Sequence, residues 1–437
     1  TISKKINYVV IDTFNLYTKK PIRVLLAKDL MNKVFEKSFI EINSPQDLSL
    51  KSSEKLFPFL IINEIKGDKL IDIRYEKIWE DAPAPHDNPE NAYRVISGDF
   101  VTTDEGTGIV HTAPTFGADD ALAASQARPP VPPLLTKDVN GQLVPLVNLQ
   151  GRFIDNLKII GGKYVKNEYY EVDQRPEKSV DVEICIHLKE KNRAFKVEKY
   201  IHSYPNCWRT DKPILYYPLD SWFIGVSKIR NKLVALNKEI NWVPKSTGEK
   251  RFSNWLSSAN DWNLSRSRYW GIPLPIWRTI DKSETKVIGS VNELRSEINR
   301  SINYKHMEFN PLEDFEADNM GDENYDKIDL HKDTVDNIIL SSNEGKPMYR
   351  EKDLIDVWFD SGAMPYAQVH YPFENKDLID KKKMFPADYI AEGVDQTRGW
   401  FYTLHVISTI VFDSISYKNV ISNGLVLDKN GQKMSKR

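Results

Sequence analysis

The sequence predicts a mixed α/β protein with two textures: short β-strands between turns over the first 180 residues, and a doubly wound α/β unit near the C-terminal end. Three observations carry that expectation. Apolar runs at 8–12, 22–26, 70–73 and 108–112 are strand-length and bounded by turn formers, and helical periodicity is rare around them. Toward the other end, 387–391 reads as a strand, Gly393 as a turn, Asp395 onward as a helix and 419–422 as a second strand, the grammar of a doubly wound half. Finally, 437 residues correspond to roughly three domains at about 150 residues each, so one compact core is not expected.

Taken in order, each element has its own signal. Val139-Asn140-Gly141-Gln142 between apolar flanks is a hairpin signal, because Asn-Gly suits the tight turn. Pro129, Pro130, Pro132 and Pro133 stop any helix begun at Asp119, since proline lacks the donor and clashes with the preceding turn. Residues 226–270 hold nine basic side chains against three acidic ones, interleaved with Trp242, Phe252, Trp255, Trp262, Tyr269 and Trp270. Such a composition suits an RNA-contacting surface, and equally a set of half-buried rings beside solvated lysines. Residues 307–336 run the other way, with eleven Asp or Glu against Lys327 and Lys332, and read as a solvated insertion or linker that repels phosphate. In the C-terminal helix Phe401, Leu404, Ile407 and Val411 give a core face at helical spacing. Residues 425–427 then lead into Asp428-Lys429-Asn430-Gly431, and there is no internal repeat.

Composition excludes several classes. The charge balance of 60 basic to 62 acidic residues gives no global field for nucleic acid, which leaves only local patches. Cys185 and Cys207 form no CxxC pair, so a disulfide framework and a Cys-rich zinc site are not expected, and a reduced cytoplasmic setting is. No apolar run approaches 18 residues, so neither a membrane span nor a signal peptide is read.

Four constellations carry chemistry. Lys433-Met434-Ser435-Lys436-Arg437 follows a glycine turn, and two ammonium groups three apart could hold a triphosphate, or could be an ordinary basic tail. Glu392-Gly393-Val394-Asp395-Gln396 spans a strand end and a helix start. That is where open α/β sheets bind nucleotides and carboxylates can meet a ribose or an ammonium, although Asp395 could simply cap the helix. Asp356-Val357-Trp358-Phe359-Asp360-Ser361-Gly362 sets apolar walls beside carboxylates, as an amino-acid pocket requires, or buries a tryptophan in a core. His111 and Asp120, nine residues apart across a Pro/Gly loop, could share one small cavity, with Asp120 binding an ammonium and His111 positioning a ribose hydroxyl or water. The alternatives are a structural histidine and a helix cap.

Together and in this order the strings resemble the isoleucyl branch of the class I aminoacyl-tRNA synthetases. KMSKR at 433–437 is similar to the KMSKS signature, with Arg437 where serine is usual. DVWFDSG at 356–362 and EGVDQTRGWF at 392–401 are closer to isoleucyl than to valyl or leucyl relatives, and GTGIVHTAP at 106–114 resembles the family's editing insertion. YPNCWR at 204–209, SRSRYWGIP at 265–273 and DLH at 329–331 support the resemblance.

The resemblance implies a Rossmann-like nucleotide-binding catalytic domain interrupted by a β-rich editing domain. Residues 1–180 would be the editing insertion and 181–280 the connection back, carrying the basic and aromatic stretch. An acidic insertion or connector would follow at 281–350, and the second half of the catalytic domain at 351–437. It implies ATP-dependent attachment of isoleucine to tRNA(Ile) through isoleucyl-adenylate, with Mg2+ accompanying ATP, and hydrolysis of mischarged valyl-tRNA. Lys433 and Lys436 would act on the phosphates, Gly393 and Asp395 would lie at the adenylate ribose, and Glu392 and Gln396 would make polar contacts. Trp358 and Trp400 would wall the isoleucine pocket, and His111 and Asp120 would belong to the editing site.

A monomeric, cytoplasmic enzyme without membrane contact is expected. Thr210 stands where some relatives carry a second cysteine and no CxxC follows Trp277, so no structural zinc is expected. The family's His-Ile-Gly-His signature and threonine-rich editing peptide do not occur in this sequence. An internal segment of a longer enzyme, inactive in adenylation by itself, is therefore the expectation. The other readings are a valyl- or leucyl-type synthetase, and a non-synthetase RNA-binding protein or free-standing editing hydrolase.

Overall fold

The computed structural model describes residues 1–49, 56–138, 141–267, 270–432 and 434. Two compact units divide the chain, Thr1–Leu219 and Asp220–Arg437.

In the first unit, β1 (Asn7–Phe14), β2 (Pro21–Ala27), β3 (Phe39–Glu41) and β4 (Phe57–Lys66) form a sheet in the order β2-β1-β4-β3, with a short helix α1 (Met31–Val34) after β2. Central β1 is antiparallel to both neighbours, and its period-2 alternation buries both faces. Tyr8 packs with Ala27, Leu30 and Leu70, while Val9 and Ile11 pack with Leu26, Phe35 and Phe59. The pairing of β1 with β4 slips between Val10 and Ile11, a bulge that leaves Ile62 unpaired.

Two expected strands are absent, each for a packing reason. Leu70 closes a 3-10 turn over Gly67–Leu70, and its side chain is spent in the core. Residues 108–112 join no ladder. Gly106 and Gly108 hold φ of +73° and +71°, and a Cβ on Gly108 would come within 2.4 Å of the Ala27 Cβ, so this stretch is a tight glycine crossing beneath β2.

Helix α2 (Ala118–Gln126) ends before Pro129 as the prolines require. A hairpin of β5 (Leu135–Lys137) and β6 (Leu143–Pro145) forms where Asn-Gly predicts one, although Val139 and Asn140 themselves lie outside the described residues. Regular strands are thus confined to 7–66 and 135–145, and loops and turns make up much of the rest. The unit runs past 180 because α3 (Val180–Glu190) and the chain after it pack back onto it. Asn15 Nδ2 donates to the Ala194 carbonyl (2.8 Å), and Phe195 joins the Phe35 and Phe39 rings.

The second unit opens with β7 (Phe223–Ile224), α4 (Arg230–Asn237), β8 (Asn241–Val243), α5 (Ser253–Ser257), β9 (Trp262–Asn263) and β10 (Ser265–Arg266). A lobe follows, built from β11 (Ile276–Thr279), β12 (Thr285–Val287), α6 (Val291–Asn303), α7 (Asp322–Tyr325), α8 (Lys332–Val335), β13 (Leu340–Ser341) and β14 (Pro347–Arg350). The chain then returns through β15 (Leu354–Ile355), α9 (Val357–Ala367), α10 (Lys376–Asp380), β16 (Ala387–Gly393), α11 (Trp400–Phe412) and β17 (Tyr417–Asn423).

Strand β17 lies between β16 and β8, parallel to both, and α11 crosses from β16 to β17. The expected strand-helix-strand unit is therefore present, with β8 as an unforeseen third strand too short to show alternation. Two details differ from expectation. Gly393 continues β16 with an extended backbone, and residues 394–398 form a 3-10 turn, so the helix starts at Trp400 rather than Asp395. Val411 is exposed, whereas every residue from Phe401 to Thr409 is buried, so α11 is a helix buried all round rather than amphipathic.

The acidic stretch is no linker. Because β10 pairs with β15, the lobe between them is an insertion with its own core of Trp277, Leu294, Ile298, Leu312, Val335 and Met348. Its carboxylates occupy the surface while Leu312, Phe315 and Val335 point inward. The aromatics of 226–270 are likewise mostly internal. Trp242, Phe252 and Trp262 are buried and Trp255 packs against them, so they offer no stacking face to RNA; Trp270 is exposed, and Tyr269 lies outside the described residues.

Candidate functional site

The site grows from the start of α9. Asp356, 3% exposed, is the N-cap and accepts from the Trp358 backbone N–H at 3.3 Å. Its carboxylate also accepts from Trp262 Nε1 (2.9 Å) and pairs with Arg266 Nη2 (2.8 Å). Three donors make this buried carboxylate a structural anchor rather than a free ligand group. Directly after it, Trp358 and Asp360 line a cavity of about 780 Å³, whose other walls include Trp270, Ile272, Leu330 and His331. Trp270 stacks on His331 with centroids 4.9 Å apart, and His331 Nδ1 lies 2.7 Å from Asp329 Oδ1. Burial first, and the Asp356 charge second, push the Asp360 carboxyl above its ordinary range.

The 392–400 turn approaches the same tryptophan. A Cβ on Gly399 would stand 3.3 Å from Trp358 Cη2 and 2.5 Å from Gln396 Oε1, so only glycine lets the turn come this close. Gln396 Oε1 accepts from the Trp400 N–H (2.8 Å), and Trp400 Nε1 donates to the Ser361 carbonyl (2.9 Å), which ties the start of α11 to α9. Gln396 therefore caps a helix with its amide oxygen, and the alternative reading of Asp395 as the helix cap does not hold. Glu392 and Asp395 are exposed at the carboxyl end of β16, where open α/β sheets receive ligands. Lys433 and Lys436 lie outside the described residues; before them, Gly431 (φ +75°) and Asp428 shape the turn, with Asp428 Oδ1 accepting from the Asn430 and Gln432 N–H groups.

The sequence reading thus finds four residues brought together, Trp358, Gln396, Gly399 and Trp400, of which Gly399 was not singled out. It also missed the roles of Arg266, Trp270 and His331. All three sit in the strings SRSRYWGIP and DLH, which carried a resemblance but no assigned task.

In the first unit, Asp120 is the third residue of α2, and its Oδ2 accepts from the Ala113 N–H (3.0 Å). The carboxylate secures the Pro/Gly loop and leaves Oδ1 without a hydrogen-bond partner among the described residues. His111 is exposed on that loop and makes no hydrogen bond or ring contact among the described residues. His111 lies on the loop and Asp120 on the helix that follows it; the neighbouring cavity, about 530 Å³, is lined by Gly98, Phe100, Asp119 and Leu122 and by neither of them. Cys185 and Cys207 are both free thiols.

Comparison with known proteins bears on both units. The family described as tRNA synthetases class I (I, L, M and V) matches residues 136–437. The isoleucine--tRNA ligase of Bacteroides fragilis is 54% identical over 455 residues, covering 100% of this chain and 39% of that protein. Its counterpart in Cytophaga hutchinsonii is 54% identical over 451 residues, covering 100% and 38%, and that of Clostridium acetobutylicum is 41% identical over 378 residues, covering 86% and 31%. The chain spans about two fifths of the length of the first two relatives.

Proposed function

Because the chain belongs to the class I tRNA synthetases of the isoleucine, leucine, methionine and valine group, we propose that it carries the amino-acid and phosphate side of an enzyme that attaches isoleucine to tRNA(Ile). The observation that supports this reading best is that Trp358, one wall of the cavity, is approached by Gly399 while Trp400 bonds to the same helix α9, both just beyond the carboxyl end of parallel strand β16. In the first step an isoleucine carboxylate oxygen attacks the α-phosphorus of ATP, the bond to the β-phosphate breaks, and pyrophosphate leaves. In the second, a ribose hydroxyl of the terminal adenosine attacks the adenylate carbonyl carbon and AMP departs.

The chain's own residues supply position and charge. Trp358 and Trp400 give the aliphatic side chain apolar walls, while Glu392 and Asp395 meet the ribose or the α-ammonium. Lys433 and Lys436 place positive charge where pyrophosphate develops negative charge, which acts chiefly in the transition state. Mg2+ would accompany ATP on its phosphates and offset their charge; among the described residues no three His, Cys, Asp or Glu side chains form a metal cage.

The β-rich unit is proposed as the editing domain and the parallel-sheet unit as part of a Rossmann-like catalytic domain. One methylene separates isoleucine from valine and is worth ~1–3 kcal/mol, the general limit quoted for isoleucyl enzymes, so a hydrolytic second site is needed for accuracy. The open Oδ1 of Asp120 suits the free α-ammonium of a valyl ester, and His111, exposed on the loop that Asp120 secures, is assigned by the family resemblance to orient water or ribose. Isoleucine-dependent ATP–pyrophosphate exchange by the full-length protein tests the reading. Robust exchange with isoleucine is expected, and exchange stimulated by leucine or methionine alone would contradict it.

A further inference from the structure

The wall residue Trp358 poses a physical problem, because a side chain 42% exposed is not held by core packing. Its orientation must come from the backbone that carries it, the first turn of α9, and that turn is fixed by Asp356. We infer that the Arg266–Asp356 ion pair is a positioning device that locks the first turn of α9, and with it Trp358, in the geometry the isoleucine pocket requires. The inference rests on the isoleucine reading above.

Asp356 draws its three donors from both sides of the inserted lobe: Trp262 and Arg266 precede it, and the Trp358 N–H follows it. The same joint carries the pairing of Ser265 with Ile355 and Arg266 with Leu354, so strands on either side of the insertion meet at the N-cap. Arg266 is itself held, since Nη1 donates to the Asn263 and Ser265 carbonyls (3.1 and 2.8 Å) while Nη2 reaches Asp356. A planar guanidinium makes these bonds simultaneously, and a lysine ammonium on a flexible stem does not reproduce the fork. Arg266 and Asp356 also line the cavity beside Trp358, and neither is proposed to touch a reacting atom.

Buried ion pairs contribute little net stability compared with apolar replacements, and their best-attested use is to fix one arrangement. Trp358 is only two residues from the anchor. Freed from it, the first turn of α9 can pivot, and the tryptophan leaves the narrow gap it shares with Gly399.

The test is ATP–pyrophosphate exchange in the full-length protein with Arg266→Gln, Arg266→Lys and Asp356→Asn. Arg266→Gln is decisive because the Arg266 side chain is 37% exposed, so its loss leaves water access and the other two Asp356 bonds. The expected result is a rise of about tenfold in isoleucine KM, with kcat and ATP KM within about twofold. Arg266→Lys should recover part of that loss, and Asp356→Asn, whose single amide oxygen can accept from Trp262 or from the Trp358 N–H but not from both, should shift KM in the same direction by at least as much. In a Trp358→Ala background Arg266→Gln should add less than about twofold, because both changes act on one wall. An unchanged isoleucine KM, a fall in kcat alone, full additivity with Trp358→Ala, or loss of cooperative melting in Arg266→Gln would each overturn the inference. Absence of isoleucine-dependent exchange in the unsubstituted protein would overturn the functional reading together with it.

Discussion

The two units place chemistry on different kinds of support. In Asp220–Arg437 the candidate residues sit at the ends of regular elements, on a helix cap, a strand terminus and the first turn of a helix buried all round. In Thr1–Leu219 they sit on an irregular Pro/Gly loop joined to a nine-residue helix, beside a core divided into separate small clusters. The contrast teaches that a pocket for a small apolar substrate demands walls held to a fraction of an ångström, which packed elements supply. A loop beside a helix that presents a carboxylate can be anchored by one hydrogen bond, as the Ala113 N–H is held by Asp120 of α2.

Four substitutions or conditions break or sharpen that contrast. Phe401→Ala, at a residue fully buried between α11 and Trp242, should cost about 3–5 kcal/mol and show as a lowered unfolding midpoint of the second unit. Lys436→Ala in the full-length protein should lower the adenylation rate constant by about 10²–10³, with much less effect on ground-state isoleucine binding, read by single-turnover kinetics.

Acid should act on the second unit through His405. Burial lowers its pKa from 6.5 to about 4; among the described residues Nδ1 has no hydrogen-bond partner, and Nε2 meets the Leu233 carbonyl. The unfolded chain then binds the proton first. Stability is full above pH 6.5 and falls as pH drops toward 4, by on the order of 3 kcal/mol in all. Denaturant titrations across that window should show the slope in the unsubstituted protein and a flatter one in His405→Gln. Tyr8→Phe tests the first unit with a smaller change: the lost hydroxyl donates to the Gly108 carbonyl (2.8 Å) and accepts from the Ser3 N–H. A cost of about 1–2 kcal/mol is expected in the first unit's melt.

The same difference in support explains what was legible in the sequence. The strands 8–12 and 22–26, the paired strands 135–137 and 143–145 that flank the Asn-Gly signal, and the strand-helix-strand order after 387 each follow from local periodicity or turn chemistry, and each stands where expected. Runs at 70–73 and 108–112 look the same locally, yet their outcome depends on Leu70 filling a distant core and Gly108 passing beneath Ala27. The lobe after 274 was hidden because its acidic surface dominates composition while its few apolar residues are widely spaced. At the site, Trp358 and Trp400 were readable as motif members. That Gln396 caps α11, and that Arg266 reaches Asp356, depends on contacts across the fold that no window of sequence contains.

The central claim is that substrate selection and product hydrolysis are divided between the two units, with Trp358 serving the first and Asp120 the second. The most direct measurement is a crossed pair of assays on the full-length protein: isoleucine-dependent pyrophosphate exchange and deacylation of valyl-tRNA, each with Trp358→Ala and Asp120→Ala. The account predicts that Trp358→Ala raises isoleucine KM by about tenfold or more while deacylation persists, and that Asp120→Ala abolishes deacylation while exchange is nearly unchanged. Normal deacylation by Asp120→Ala, or an unaltered isoleucine KM in Trp358→Ala, would contradict it.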